Sequence, residues 1–410
     1  MEAFGVRFVV GGGAGYALAY VACGVALGTV SGLTPGLHAN NFALLLAAVA
    51  GSVPGPPRLI GAAMLAAGVV HTFLDVVPAL ALGVPDPAMA ASALPGHRLV
   101  LEGRGREALR LSALGSATAV VLAVPLAIPV TRAMTATYPQ LTAHLPAVLT
   151  AVAAVLILTE PTREGRIGAG LSFAASGALG VLTLDLQPGG VLPADGMLAP
   201  LFAGLFGAPV LLAATRGNGV PPQADAAVLT TRRAVLGVAA LGTVAGAVVG
   251  YLPGVSSAVA ATLVLLAVPQ SRGAREFVVA TSGVNTATAV FALFAFVALG
   301  TPRTGVLVAL DSTGAPESLP LYLGSIGTAA AVGFVLVLAV GDRYLRVVSG
   351  LDNRRLSIAV LAALAVLLWL LSGWLGVGVF VAATAVGSLP PWFGARRVSL
   401  MGVLLVPLIL

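Results

Sequence analysis

The sequence predicts an all-α polytopic membrane protein made of two inverted-topology repeats, each with a broken or re-entrant helix at a Pro-Gly motif. Three observations point there. Only 9% of the residues are charged and 58% are hydrophobic, whereas a soluble chain carries about 25% charged residues. Mean hydropathy is +1.03, and long apolar runs recur along the chain with short polar loops between them. Finally, SGLTPGLHANNFALLL (residues 31–46) breaks an apolar run at Pro35-Gly36, and YLPGVSSAVA (residues 251–260) breaks another at Pro253-Gly254. Broken helices persist at membrane depth only where protein buries them or where they line a water-filled cavity. Interruptions in corresponding places of two halves are a sequence pointer to a transporter binding site.

The apolar segments of the first half fall near residues 8–30, 39–50, 59–83, 109–131, 145–159, 167–184 and 198–215. Those of the second fall near 233–250, 255–269, 277–300, 319–341, 356–374, 375–389 and 398–410. Several are shorter than the ~20 residues of a perpendicular span, so tilted, re-entrant or half-helices are expected. The run at 8–30 is too long for a signal-peptide core and reads as mature protein.

Loop charge assigns the sides. Arginines cluster at 84–108 (Arg98, Arg104, Arg106), 160–166 (Arg163, Arg166), 216–233 (Arg216, Arg232, Arg233), 342–355 (Arg343, Arg346, Arg354, Arg355) and 390–397 (Arg396, Arg397), all of which are placed inside. The 185–197 loop, with Asp185 and Asp195, and the 301–318 loop, with Asp311 and Glu317 against Arg303, are placed outside. Arg7 and Arg132 then fall outside, against the trend. The first broken pair starts and ends outside, and the second starts and ends inside. This describes repeat 1 over 1–215, a cytoplasmic linker over 216–232 and repeat 2 over 233–410. Aligning the Pro-Gly pairs brings GVVHTFLDVVPAL, from Gly68, near GVNTATAVFAL, from Gly283, so His71-Thr72 corresponds to Asn285-Thr286 within a few residues.

All 21 basic residues are arginine and the net charge is +6. They lie mostly between apolar runs, which marks them as topology determinants for a lipid bilayer and not as a nucleic-acid surface. Residues 94–112, mixing arginine with leucine and valine, read as an interfacial segment with its arginines toward headgroups. Cys23 is the only cysteine, so no internal disulfide forms. No zinc spacing, nucleophile elbow or phosphate loop occurs in a fitting context, since GGGAG at 11–15 lies within an apolar run. The chain therefore reads as no enzyme and as needing no cofactor or metal beyond a coupling ion, Na+ or H+.

Few ionisable groups fall inside apolar segments, and such groups face a bundle interior or a water-filled cavity. His71 and Asp75, at i and i+4, share a helix face. They are the candidate ion-coupling residues, with Thr72 and the backbone carbonyls around Thr34. The short helices after the two breaks begin with free N–H groups and the positive end of a helix dipole, which favour an anion. Gly36, His38, Asn40 and Asn41 on one side, and Gly254, Ser256, Ser257, Asn285 and Thr286 on the other, are the candidate substrate-binding residues. Ordinary N-capping by serine and asparagine uses the same atoms.

SGLTPGLHANNFALLL resembles the glycine-proline-glycine signature of the large permease subunit of tripartite tricarboxylate transporters. HTFLDVVPALALGVPDPAMAASALPGHRLVLEGRGREALRL resembles the archaeal branch of that family, and YLPGVSSAVA resembles its second signature, so the resemblance spans the chain. It implies a permease that moves small carboxylates on an ion gradient. In bacteria it works alongside a small membrane subunit and an extracytoplasmic solute-binding protein. His38 stands where a glycine is usual in the bacterial pattern. Polyprenyl-phosphate translocases share a Pro-Gly-Val-Ser signature and inverted halves, so a lipid-carrier translocase is the alternative, although no arginine falls in either break.

The topology has a direct test. A cysteine placed by Asn218→Cys should be labelled by impermeant reagent only from the inside, and labelling only from the outside overturns the inverted-repeat reading.

Overall fold

A computed structural model of the chain describes residues 2–3, 6–7, 13–35, 37, 39–83, 93–187, 189–191, 196–216, 220–224, 227–252, 255, 257–267, 273–316 and 318–410. Apart from a two-residue antiparallel ladder, β1 (Glu2–Ala3) with β2 (Val6–Arg7), these residues are overwhelmingly helical. The first half runs α1 (Ala14–Leu33), α2 (Ala39–Ala50), α3 (Pro57–Leu74), α4 (Val76–Leu82), α5 (Ala93–Leu101), α6 (Gly105–Ala143), α7 (Leu145–Leu158) and α8 (Arg163–Thr183). It ends with α9 (Leu198–Phe202) and α10 (Ala208–Ala214), joined by a π-helical turn (Ala203–Gly207). The second half runs α11 (Arg232–Tyr251), α12 (Ser257–Ala267), α13 (Gly273–Leu299), α14 (Gly305–Ser312), α15 (Leu319–Ser349), α16 (Asn353–Gly387) and α17 (Leu389–Trp392). A 3₁₀ turn (Arg397–Met401) then leads into α18 (Gly402–Ile409). Among the described residues, 8 helical spans are long and apolar enough to cross a membrane. The chain is an all-α polytopic membrane protein.

Proline sets the interruptions. α1 stops at Thr34, whose extended backbone (φ −82, ψ 111) is what a residue before proline adopts. α11 stops the same way at Leu252 (φ −91, ψ 121), ahead of Pro253. Pro78 has no N–H for the carbonyl of Leu74, and α3 passes into α4 there with Asp75 at the joint. A further break lies at Gly373 inside α16 (φ 63, ψ −163), beside the boundary read between the apolar segments 356–374 and 375–389. A β-carbon there would meet the Gly189 carbonyl oxygen at 2.6 Å, so only glycine fits.

Four elements differ from the sequence expectation. α6 extends to Ala143 instead of ending near 131; along that tail the hydroxyls of Thr131, Thr135, Thr137 and Thr142 donate to carbonyls four residues back, which satisfies them within the helix in place of a loop. α15 runs on to Ser349 past 341, where Asp342 takes ion pairs from Arg346 (3.1 Å) on its own helix and from Arg106 (2.5 Å) on α6. The stretch at 94–112, read from the sequence as interfacial, divides between α5 and α6. The Gly103 amide bonds Val100 and the Arg104 amide bonds Leu99, a Schellman cap with Gly103 at φ +76, and α6 starts immediately after it. The loop at 301–318 contains a helix, α14, capped by Thr304 accepting from the Leu307 amide and packed on α2 and α3.

The core is drawn together by glycines. On α1, Gly24, Gly28 and Gly32 lie against α3. A β-carbon on them would meet the Ala63 carbonyl oxygen at 2.1 Å, the Ala67 carbonyl oxygen at 2.3 Å and Leu74 Cβ at 2.8 Å. On α11, Gly242, Gly246 and Gly250 lie against α13 with equivalent distances of 2.8, 2.7 and 2.9 Å. Both triplets repeat every four residues, one per turn on one face, the small-residue spacing that lets membrane helices approach closely.

The stretch between the halves is held down at its end of the bundle. Gln223 accepts from the Gly105 amide (2.7 Å) and donates to the Val100 carbonyl (3.0 Å). Glu107, before the apolar part of α6, is fully buried and accepts from Arg275 Nε (2.8 Å) and Nη2 (3.2 Å), Arg104 Nε (2.6 Å) and the Leu229 amide (2.9 Å). Burial pushes its carboxyl up. The hydrogen bonds from Arg275, Arg104 and Leu229 outweigh burial and hold it below the usual carboxylate range.

Two outcomes follow from this packing. Gly28→Ala and Gly246→Ala should each lower thermal stability by about 1–3 kcal/mol, measured by unfolding in detergent. Gly15→Ala, whose β-carbon meets nothing within 4 Å, should not. Because the Glu107 carboxyl is held down, its contribution is present above its ordinary value of 4.5 and lost as pH falls through the lowered one. Glu107→Gln should cost about 3 kcal/mol at neutral pH. The gap to wild type should hold from pH 7 to about 5 and close only on further acidification.

Candidate functional site

A cavity of about 430 Å³ lies where the interrupted helices meet. Ala39, in the first turn of α2, and Leu252, Val255 and Ser257, around the second interruption, all line it. Residues flanking the two breaks thus face one space. Gly36, His38, Pro253, Gly254 and Ser256 lie outside the described residues. Asn40 and Asn41 belong to α2, but their side chains lie outside the description.

The polar part of the wall comes from two long helices. Thr72 on α3 and Asn285 and Thr288 on α13 line the cavity. Behind Asn285 sits Asp75, only 4% exposed, whose Oδ2 accepts from Asn285 Nδ2 at 2.7 Å. The candidate coupling carboxylate is therefore linked to the cavity through an amide and does not line it. Its place follows from the Pro78 joint, which puts Asp75 one turn beyond Thr72. Thr72 donates to the Val69 carbonyl (2.8 Å) and lies 3.4 Å from the Thr286 hydroxyl. Thr286, fully buried, donates to Ser116 on α6 (2.8 Å). Ser116 in turn donates to the Ser282 carbonyl (3.3 Å), and Ser112 and Ser282 share a 2.8 Å hydrogen bond. These hydroxyls stitch α6 to α13 beside the cavity.

His71 shares a helix with Asp75 but is tied to a different neighbour. Its Nδ1 is bonded to Ser31 Oγ on α1 (2.9 Å), and its ring stacks on Phe42 of α2 with centroids 6.2 Å apart and planes 11° apart. It joins α3 to the helices on both sides of the first break. The Thr34 hydroxyl donates to Val30 of its own helix (2.8 Å), and the Thr34 amide donates to the Ser31 carbonyl (3.2 Å). Of the sequence candidates, the structure brings Thr72, Ser257 and Asn285 to the cavity, with Asp75 and Thr286 directly behind.

One residue was missed. Arg303, ahead of α14, lines the cavity. Its Nη2 donates to the Tyr138 hydroxyl on α6, and its guanidinium carbon lies 5.3 Å from the centre of the Tyr138 ring. Its Nε is buried and has no hydrogen-bond partner. The signal was present in the sequence: Arg303 is the arginine in a loop otherwise carrying acidic residues, against the loop-charge trend.

The model of the tripartite tricarboxylate transporter TctA family matches residues 18–402. An uncharacterised protein of Methanocaldococcus jannaschii is 26% identical over 404 residues, covering 96% of this chain and 98% of that protein. No solved structure matches the chain. With eight spans among the described residues that can cross a membrane, two helices that stop ahead of Pro-Gly pairs beside one cavity and a match over nearly its whole length, the chain belongs to the tripartite tricarboxylate transporter TctA family, as a multi-pass protein of the cell membrane.

Proposed function

We propose that the chain is a secondary-active permease for small organic anions such as carboxylates, coupled to a sodium or proton gradient. The observation that carries this reading is the single cavity lined by residues beside both helix interruptions and joined to a buried carboxylate through Asn285. α2 and α12 both begin at this cavity, and the positive end of a helix dipole suits an anion. The substrate would lie against Ser257, Asn285 and the segments holding Gly36, His38, Asn40, Asn41, Gly254 and Ser256, with Thr286 in support. The family match favours this over a lipid-carrier translocase. Family membership also suggests a small membrane subunit and an extracytoplasmic solute-binding protein as partners.

Coupling follows from Asp75. A buried carboxylate is costly unless it takes a proton or a cation, and either event changes the charge that Asn285 sees. With Asp75 ionised, the Asn285 amide is drawn toward it. With Asp75 protonated or bound to Na+, that pull weakens and the amide is released toward the cavity. The ion thus changes substrate affinity, and the substrate changes ion affinity by the same factor. Thr72, His71 and the carbonyls around Thr34 are the groups we propose to complete a cation site with Asp75.

Labelled carboxylate uptake into proteoliposomes under imposed Na+ or H+ gradients tests this. Asp75→Asn keeps the shape and the neighbour of the carboxyl, so the variant should fold and exchange substrate but lose gradient-driven accumulation by at least tenfold. Normal accumulation with unchanged ion dependence would make Asp75 structural and refute the mechanism.

A further inference from the structure

We infer that the cavity takes an organic anion with one carboxylate and an apolar body, and that Arg303 is the group that holds the carboxylate. The inference rests on the transport reading above and names the substrate class of the same site.

Charge count leads to it. Among the described residues lining the cavity, Arg303 is the single ionisable side chain. The remaining polar groups in that wall are hydroxyls and one amide, which suit a neutral hydroxyl or carbonyl of the ligand. Much of the rest is hydrocarbon, with Phe202, Val249, Leu252, Leu307, Met401 and Leu404 drawn from well-separated parts of the chain. A second or third carboxylate would be stripped of water against these side chains with no described cation to meet it, and an unpaired buried charge is strongly disfavoured. An alkyl or aryl body would gain from the same surface.

Arg303 is prepared for one carboxylate. The Tyr138 hydroxyl accepts from Nη2 while the Tyr138 ring lies beside the guanidinium, which fixes its plane. That leaves the buried Nε–H without an acceptor. A buried donor in that state favours any ligand that supplies an oxygen, and a carboxylate supplies a charge-assisted one.

Equilibrium binding of radiolabelled hexanoate and citrate to the purified full-length chain in detergent tests the inference. Hexanoate should bind saturably, methyl hexanoate should not compete, and citrate should compete at least tenfold more weakly. Arg303→Gln should weaken hexanoate binding roughly 10- to 100-fold. Arg303→Lys should recover little of it, because an ammonium lacks the planar fork. Tyr138→Phe, which keeps the ring and removes the acceptor, should weaken binding several-fold with its unfolding temperature near that of wild type. It carries the test of Arg303 positioning if Arg303→Gln does not fold. Citrate binding more tightly than hexanoate would overturn the single-carboxylate inference and leave carboxylate transport standing. Unchanged hexanoate binding in Arg303→Gln would remove Arg303 as the anchor. Binding of no carboxylate at all would overturn this inference and the transport reading together.

Discussion

Close approach of backbones at two helix pairs governs the rest of the molecule. Gly24, Gly28 and Gly32 let α1 lie directly on α3, and Gly242, Gly246 and Gly250 let α11 lie directly on α13. Within a bilayer the hydrophobic effect gives helices little reason to associate, so van der Waals contact between close-fitting surfaces has to supply it. Each triplet ends three residues before a Pro-Gly pair: Gly32 before Pro35, and Gly250 before Pro253. The packing therefore continues to the point where each helix breaks. The glycines hold the ends of α1 and α11 against the two helices, α3 and α13, that contribute Thr72, Asn285 and Thr288 to the cavity.

Polar side chains serve this framework in two ways. Some are stitches between helices: Ser31 to His71, Thr72 to Thr286, Thr286 to Ser116, Ser112 to Ser282. Their alternative in an apolar bundle is an unsatisfied hydroxyl, so they fix rotation about the helix axes as well as distance. Others are carboxylates, and their partners differ. Glu107 is gripped by two arginines, and Glu160 takes Arg396 Nε at 2.8 Å while only 1% exposed. These ion pairs act as fasteners, between the start of α6, Leu229 and α13 in the first case, and between the α7–α8 turn and the start of the 3₁₀ turn in the second. Asp75 accepts from the neutral amide of Asn285, a donor whose hold weakens when the carboxyl loses its charge. The first two suit a fixed structure, and the third suits a group whose charge changes in a working cycle.

Membrane class, the order of the helices and the two interruptions were legible in the sequence because each depends on a short local stretch. Apolar length decides whether a segment can cross, proline removes a donor wherever it stands, and the residue before it turns extended, as Thr34 and Leu252 do. The i, i+4 spacing of His71 and Asp75 and the unusual burial of an acid in an apolar run were equally local. Where local signals were mixed, the reading slipped. α6 runs past its apolar stretch into a tail whose threonine hydroxyls bond back to their own helix, and the Gly103 cap divides the mixed stretch at 94–112.

Which side chains meet was decided by the tertiary structure, because contact depends on the rotation and depth of helices far apart in sequence. Spacing put His71 and Asp75 on one face, but packing gave His71 to Ser31 and Phe42 and Asp75 to Asn285, 210 residues away. Arg303 read as a charge in an outer loop until α14 folded against α2 and α3 and carried it to the cavity wall beside Tyr138. The glycine triplets were visible as composition, yet a missing β-carbon acquires a meaning only when another backbone occupies its place. Apolar length and proline position, both local, set which helices are long enough to cross a membrane and where α1 and α11 stop. The structure decided what those breaks enclose, since a cavity belongs to no single segment and exists only in the space that several packed segments leave between them.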